Sequence, residues 1–284
     1  MRSRTERAPA KLNLALDILG KRSDGYHEMR MVMQRISLCD WVTVRETEEP
    51  GFRLLADFEP LGKQSLEERA ARAFFSRLGQ ELPGLEVQVE KQIPAYAGMG
   101  GGSADVAALL RGLRSLYAPE LSDQELEAIG LTIGSDVPFC IRGGTALAEG
   151  RGEQLTPLPP LPPCWFLICK PGFDLPTPSL FGRVRVEALE GRPDLPSMEA
   201  ALQRGDLLGV AQNLGNVFES VLAEEETQEI QRIQEIMRRF GALNASMTGS
   251  GPTVFGMFTA EAALSAAEAA LKKQYQQVFR AEPE

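Results

Sequence analysis

The chain has 284 residues, of which 43% are hydrophobic, and its formal net charge at pH 7 is −9. This composition is typical of a globular protein with two modest domains or one large one. The negative charge argues against nucleic acid as the main partner, because phosphate backbones attract clustered lysines and arginines. A small anionic ligand is still compatible, since it needs only local positive potential.

The four cysteines form no CxxC pair, and His27 is the only histidine, so we do not expect a zinc site. Each cysteine has apolar neighbours, which predicts buried free thiols and a reducing compartment. The N-terminal residues contain no apolar signal-peptide region, and no segment reaches the length of a membrane span. We therefore expect a cytoplasmic protein with no membrane partner.

In chain order, the first predicted element is a strand over residues 10–18, whose polar face carries Lys11 and Asn13. Residues 21–25 predict a turn, and strands are expected near 29–36 and 41–44. Ser65, followed three residues later by Glu68, is a capping-box pattern that opens a helix, and Gly79 ends it.

A glycine-rich loop follows a predicted strand at residues 85–89, and a helical pattern follows the loop. Glycine lets backbone N–H groups approach an anion closely, and a helix N-terminus adds positive potential. Ser103 is predicted to cap that helix, with Asp105 in its first turn. The loop predicts polyphosphate binding, although glycine clusters also mark simple turns. It contains no lysine, so a charge partner must come from elsewhere.

Ser122 with Glu125 opens another predicted helix, and strands are expected at 145–148 and 164–168. The prolines of 156–164 predict either a seam between two halves or a rigid surface strap. The second half is predicted to contain helices at 198–203, 207–215, 217–222, 225–240 and 260–273. A second glycine turn, at 248–251, precedes a strand at 254–258, and a last strand lies near Val278. The irregular order of strands and helices predicts an α+β fold.

Three separated motifs together resemble the GHMP kinase superfamily: PAKLNL at 9–14, IPAYAGMGGGSAD at 93–105 and SMTGSGP at 246–252. The resemblance implies a ribosomal-protein-S5-like N-terminal domain, expected over 1–158, and a ferredoxin-like C-terminal domain, expected over 159–284. It also implies an active site in the cleft between them, ATP as co-substrate and Mg²⁺. The strings DGYH at 24–27, IGSDVPF at 133–139 and PTP at 176–178 narrow it to members that phosphorylate an alcohol on a small cytidyl diphosphate.

By this resemblance Asp136 is the base that takes the proton of the acceptor hydroxyl. Lys11 keeps the Asp136 carboxyl ionised and polarises the acceptor oxygen or the γ-phosphate. Phosphoryl transfer depends mostly on positioning and charge stabilisation, so the base role is secondary. From local sequence alone, a helix cap or turn residue is the commoner interpretation of Asp136, and an exposed strand lysine is the commoner interpretation of Lys11.

The resemblance assigns five residues to the acceptor. Asn13 helps to position it, Tyr26 and His27 meet the cytosine base, Phe181 lies on the other face of the base, and Thr177 offers a polar contact. Stacking on a base contributes about 1–3 kcal/mol. Core packing is an equal alternative for Phe181, and a structural role is the commoner fate of a single histidine.

The expected ATP-binding residues are two glycine turns and a lysine near the adenine: Lys91, Ala97, Gly98, Met99, Gly100, Gly101, Gly102, Ser103, Gly249 and Ser250. No residue is assigned to the metal. Three positions depart from the family pattern. Ala104 replaces a serine, Ser65 replaces an asparagine, and residues 216–219 read NVFE rather than NDLE, a segment that we interpret as structural.

Other readings remain open at this stage. Homoserine or mevalonate kinase is the alternative within the superfamily, and Tyr26 and His27 argue against both because their acceptors carry no pyrimidine. A non-catalytic descendant that binds nucleotide or a protein is disfavoured by the presence of both Lys11 and Asp136. An RNA-binding module is disfavoured by the negative charge. We expect a monomer or a weak homodimer.

Overall fold

The computed structural model describes residues 1–56 and 64–284. The strands are β1 (Ser3–Lys21), β2 (His27–Glu46), β3 (Phe52–Leu55), β4 (Leu85–Glu90), β5 (Thr145–Gly150), β6 (Gln154–Pro157), β7 (Trp165–Lys170), β8 (Gly215–Asn216), β9 (Asn244–Met247), β10 (Val254–Phe258) and β11 (Gln277–Ala281). The α-helices are α1 (Leu66–Arg77), α2 (Gly101–Tyr117), α3 (Asp123–Leu131), α4 (Val137–Arg142), α5 (Thr177–Arg183), α6 (Leu195–Gln203), α7 (Leu207–Gln212), α8 (Glu224–Arg239) and α9 (Glu261–Leu271). The predicted α+β class is confirmed.

Residue contacts divide the chain into two compact units that interleave along the sequence. The first contains Met1–Ala10, Cys39–Ile93 and Gly100–Gly143. The second contains Lys11–Leu38, Pro94–Met99 and Gly144–Glu284. The boundary therefore falls inside β1, inside β2 and inside the glycine loop. The expected domain limits at 1–158 and 159–284 stay a prediction.

In the first unit, residues 41–46 of β2 pair antiparallel with β4, and β3 pairs parallel with β4. Helices α1 to α4 pack on one another. The predicted start of α1 is confirmed, because the Ser65 hydroxyl accepts a hydrogen bond from the Glu68 N–H at 3.0 Å. Gly79, at φ +67°, follows the helix end as predicted. At α3 the full capping box between Ser122 and Glu125 is present.

Helix α2 begins earlier than the sequence predicts. Its N-cap is Gly100, at φ +69°, so the predicted N-cap role of Ser103 is wrong and Ser103 lies in the first turn. The glycine adopts left-handed backbone that other residues avoid, which lets the helix start three residues sooner. Asp105 is consequently past the first turn, and its carboxyl is buried.

In the second unit, residues 29–34 of β2 pair antiparallel with β5, and β5 pairs with β6. Residues 15–16 of β1 pair parallel with β8. Pro157 ends β6, and residues 158–164 connect to β7 without helix or strand, as expected for a proline-rich segment.

The C-terminal part of this unit is a four-stranded antiparallel sheet in the order β11-β7-β10-β9. Helices α8 and α9 pack on it, which gives the β-α-β-β-α-β order of a ferredoxin-like fold. The predicted helix at 207–215 ends at Gln212, and residues 217–221 form a 3₁₀ turn rather than an α-helix. Between them Asn216 enters β8, and its side-chain oxygen accepts from the Phe218 N–H at 3.0 Å, which favours the tighter turn.

Candidate active site

Two glycine turns of the second unit touch through bare backbone. Gly98 has φ +69°, and a Cβ on it would lie 2.3 Å from the carbonyl oxygen of Thr248. Gly249 has φ +56°, and a Cβ on it would lie 2.4 Å from the carbonyl oxygen of Gly98. Both positions therefore require glycine for two reasons, backbone conformation and space.

Lys11 lies against the first of these turns and is 5% exposed. Its ammonium donates to the carbonyl oxygen of Gly98 at 3.0 Å and to Oδ1 of Asn13 at 2.6 Å. Its backbone N–H donates to the carbonyl oxygen of Met99 at 3.1 Å. The alternative of an exposed strand lysine is therefore excluded. The structure places a cation beside a glycine loop that has none of its own.

Thr248 makes a buried contact that the sequence analysis did not predict. Its buried hydroxyl accepts a hydrogen bond from the backbone N–H of Asn13 at 2.9 Å. The Asn13 amide donates in turn to the sulfur of Met31 at 3.0 Å. These contacts hold β1 and the second glycine turn in register. No local pattern could have paired residues so distant in sequence.

Asn216 and Glu219 hold the same turn from the other side. The Asn216 amide donates to the carbonyl oxygens of Met247 at 2.9 Å and Gly249 at 2.8 Å. The Glu219 carboxylate accepts from the Met247 N–H at 2.8 Å and from the Ser246 hydroxyl at 3.1 Å. The NVFE segment, interpreted as structural from its sequence, therefore positions the turn.

The hydroxyls of Thr177 and Ser250 share a hydrogen bond of 2.8 Å and are exposed. Thr177 is the first residue of α5, a helix that the sequence analysis did not predict because prolines surround it. Ser250 extends the second glycine turn. The two residues expected to contact different ligands, acceptor and ATP, are thus neighbours.

Aromatic rings gather beside the start of β2. The His27 and Phe181 rings stack at 5.0 Å between centroids with 24° between planes, and Phe218 meets the Phe181 edge at 4.9 Å. Burial, and then the charge of Lys21, lower the pKa of His27, so the imidazole is neutral at pH 7. Tyr26, next along the chain, is 54% exposed. A neutral imidazole and an exposed phenol ring suit a nucleobase.

In the first unit, Asp136 stands at the start of α4, where its carboxyl makes no capping hydrogen bond to the helix. The preceding turn approaches the N-terminus of α2, because a Cβ on Gly134 would lie 3.7 Å from the hydroxyl oxygen of Ser103. The first amides of α2 point beyond the helix and attract anions. This unit therefore brings the turn of Asp136 close to the N-terminus of α2.

The positive charge of Lys91 is balanced by two carboxylates of the first unit. Its ammonium lies 2.5 Å from Asp40 Oδ2 and 2.6 Å from Asp105 Oδ2, and a Cβ on Gly101 would lie 3.4 Å from it. Burial opposes its charge, but the two carboxylates hold the pKa of Lys91 above its usual value. Burial also raises the pKa of Asp105 to about 7, although the charge of Lys91 opposes this.

Ser65, which replaces the family's asparagine, uses its hydroxyl as the cap of α1. The predicted site residues divide between the two units. The second contains Lys11, Asn13, Tyr26, His27, Ala97, Gly98, Met99, Thr177, Phe181, Gly249 and Ser250; the first contains Lys91, Gly100, Gly101, Gly102, Ser103 and Asp136. The convergence of Lys11 with Asp136 therefore stays a prediction.

Among residues 1–56 and 64–284, no group of three or more His, Cys, Asp or Glu side chains could hold a metal ion. In the same part of the chain, no helix is long and apolar enough to cross a bilayer.

Two family models match the chain. The model of the GHMP kinases N terminal domain matches residues 65–144, and that of the GHMP kinases C terminal matches residues 198–277. The chain belongs to the GHMP kinase family, a class of ATP-dependent phosphotransferases.

Two similar relatives and one solved structure carry the same name. The chain is 43% identical over 252 residues, 88% of this chain and 86% of the relative, to the 4-diphosphocytidyl-2-C-methyl-D-erythritol kinase of Listeria monocytogenes serotype 4a. It is 42% identical to the enzyme of that name from Brevibacillus brevis over 275 residues, which are 96% of this chain and 94% of the relative. A solved structure of 4-(cytidine 5'-diphospho)-2C-methyl-D-erythritol kinase aligns at TM-score 0.82 and 33% identity, covering 99% of both chains.

Proposed function

We propose that this protein transfers the γ-phosphoryl group of ATP to the 2-hydroxyl of 4-diphosphocytidyl-2-C-methyl-D-erythritol, in the non-mevalonate route to isoprenoid precursors. The products are ADP and the 2-phosphate. The observation that carries the proposal is the placement of Lys11 on the carbonyl of Gly98, within the unit that also presents Tyr26, His27 and Phe181. One unit thus supplies both a cation for phosphoryl transfer and a surface for a base.

In this proposal the glycine-rich backbone holds the triphosphate, because its N–H groups and the N-terminus of α2 face an anion without side chains in the way. Lys11 stabilises the negative charge that spreads over the transferring group, and Asp136 orients the acceptor hydroxyl and accepts its proton. Asn13 holds the Lys11 ammonium at 2.6 Å and thereby fixes its direction.

Mg²⁺ would accompany ATP in this proposal and would offset part of the negative charge of the phosphates. The oxygen donor that fits it best is the Ser103 hydroxyl, in the first turn of α2 and beside Gly134. Ala104 offers no second hydroxyl at the next position. A metal held through nucleotide phosphates needs few protein ligands.

The cytosine base is proposed to meet Tyr26, His27 and Phe181. His27, neutral at pH 7, can exchange hydrogen bonds with the pyrimidine edge, and the aromatic faces stack on the base. Thr177 offers its hydroxyl to the acceptor. We further propose that the enzyme works in the cytoplasm as a monomer or weak homodimer, which suits its four buried free thiols.

The proposed reaction is tested by measuring ADP release in a coupled assay with the cytidyl substrate, homoserine or mevalonate as acceptor. Of these three acceptors, we expect turnover only with the cytidyl substrate. Asp136→Asn should lower kcat by about 10²–10⁴-fold, because the acceptor proton loses its base, while ATP binding stays within twofold. Robust turnover of homoserine would overturn the substrate assignment, and an active Asp136→Asn enzyme would remove Asp136 from the chemistry.

A further inference from the structure

One arginine beside the aromatic cluster has no role in the reaction as proposed above. Arg151 places its guanidinium carbon 4.7 Å from the centre of the Tyr26 ring, a cation–π stack. The contact between Arg151 and Tyr26 follows from the backbone, because strand pairing positions the segments that carry both residues.

Strand pairing brings the two residues together. Residues 29–34 pair with 145–150, and the last pair is Met29 with Gly150. The chain beyond this pair, residues 151–153, consequently runs beside Tyr26 and His27. The turn is tight, since Gly150 at φ +72° and Gly152 at φ +108° flank Arg151.

Glu153 fixes the arginine within this turn. Its carboxylate accepts the Arg151 backbone N–H at 2.6 Å and lies 3.9 Å from Arg151 Nε. A Cβ on Gly150 would lie 3.0 Å from either oxygen of that carboxylate, so the glycine makes room for it. Glu153 faces the Nε side of the guanidinium, and the two Nη groups extend from the other end.

The positive charge of Arg151 indicates that its ligand is an anion. The proposed acceptor carries a diphosphate next to its cytidine, whereas Tyr26, His27 and Phe181 offer that group no positive charge. Lys21 acts electrostatically on His27, and Arg151 acts on Asp24, so both cations belong to this corner of the unit. Arg22 is engaged with Asp24 and Glu28. A guanidinium binds phosphate oxygens through a planar fork of donors while its face remains stacked on a ring.

We propose that Arg151 is a substrate-binding residue: it stacks on one face of Tyr26, which leaves the other face for cytosine, and its Nη groups bind the diphosphate of the cytidyl substrate. This inference rests on the proposed function. It makes the sequence Gly150-Arg151-Gly152-Glu153 part of the acceptor site, a segment to which the sequence analysis gave no role.

The test compares Arg151→Met, which keeps an unbranched stem but removes charge and donors, with Arg151→Lys and with the control Arg204→Met. Arg204 is an exposed arginine at the end of α6 whose loss changes the net charge equally. Kd is measured by calorimetry for CDP and for cytidine, and KM for ATP and the cytidyl substrate. Thermal unfolding verifies that each variant is folded.

Arg151→Met should raise the Kd for CDP and the KM for the cytidyl substrate about tenfold or more, with the KM for ATP within twofold. The Kd for cytidine should rise less than that for CDP, and Arg151→Lys should retain part of the CDP affinity. Arg204→Met should match the wild type.

Two results would overturn the proposal: an unchanged Kd for CDP in Arg151→Met, or an equal loss for cytidine and CDP, which would limit Arg151 to supporting Tyr26. Wild-type turnover of the cytidyl substrate is measured first. If it is absent, the proposed function fails. If it is present and the Arg151 variants bind CDP normally, only the role of Arg151 fails.

Discussion

The positions of single side chains in this site are set by the hydrogen bonds and ring contacts that they make with neighbouring residues. Lys11 would be an ordinary surface lysine on an exposed strand, but the carbonyl oxygen of Gly98 and the amide oxygen of Asn13 fix its ammonium. A fixed cation stabilises developing charge without reorganising at the moment of reaction, which is the main electrostatic contribution of an enzyme site. The same logic applies to His27, whose ring Phe181 holds.

His27 can be observed directly because it is the only histidine in the sequence. Its imidazole gives a single Hε1 proton NMR signal, and we expect a titration with a pKa below 6.5, because burial and Lys21 both disfavour the charged form. Lys21→Gln should move that pKa upward, whereas Lys273→Gln, a change of equal charge, should not. A normal pKa in the wild type would contradict the described environment of the ring.

The elements of the site depend on glycines that permit contact between backbones. Gly98→Ala forces a Cβ to within 2.3 Å of the carbonyl oxygen of Thr248 and imposes φ +69° on alanine. We expect the KM for ATP to rise at least tenfold and the protein to lose about 1–3 kcal/mol of stability.

The matched control for this change is Gly172→Ala. No heavy atom lies within 4 Å of a Cβ built on Gly172, and its φ is outside the left-handed range. The control should be neutral or slightly stabilising, because alanine reduces the freedom of the unfolded chain. Equal ATP kinetics in the two variants would show that contact between the glycine turns is dispensable.

Helix α2 carries a buried carboxyl whose protonation should shape stability. Asp105 is surrounded by Lys91, Asp40 and Glu67, and burial raises its pKa to about 7 from 3.8. The folded state therefore binds more protons than the unfolded state between these values. The contribution of Asp105 to the free energy of unfolding consequently falls as pH rises from about 4 to 7.

Asp105→Asn removes this titration. The variant's free energy of unfolding should vary less with pH between 4 and 7, and at pH 8 it should exceed that of the wild type by on the order of 1–3 kcal/mol. Urea denaturation at several pH values measures this. Asp123→Asn, at an exposed carboxyl of the same unit, is the control. A parallel pH profile in Asp105→Asn and wild type would refute the raised pKa.

The local elements could be predicted because their signals are local. Ser65 and Ser122 start helices, glycines mark both turns, alternation marks β1, and an apolar run marks β10. The partner of Lys91 could not be predicted, because nothing in sequence selects Asp40, 51 positions away, among 39 acidic residues. The contact between Gly98 and Thr248 could not be predicted either, since contacts between distant segments leave no periodic pattern in the sequence.

On the scale of the whole molecule, the family and the ferredoxin-like sheet follow the expectation from three short motifs. Such motifs are informative because each combines backbone and side-chain demands that few sequences satisfy together. The domain limits were harder to infer, since the contact units cut through β1 and β2. A strand that serves both units has one continuous pattern of hydrophobicity and leaves no linker composition to detect.

The four cysteines report on the integrity of the whole molecule. All are buried and free, and burial raises the pKa of Cys164 and Cys169 to about 12. In the native protein at pH 8 we expect Ellman's reagent to react far more slowly than with a free thiol, because the thiolate is scarce and inaccessible. In denaturant all four should react at once. Rapid labelling of any thiol in the native state would reveal an opening that the fold does not show.

The interleaving of the two units has a consequence for synthesis on the ribosome. Asn13 is made 235 positions before Thr248, whose hydroxyl accepts the hydrogen bond from the Asn13 backbone N–H. At a synthesis rate of about 5–20 residues per second, the nascent strand waits roughly 10–50 s for that partner. The first unit, complete at Gly143, can condense meanwhile, whereas the contact between Asn13 and Thr248 forms only after residue 248 has left the ribosome.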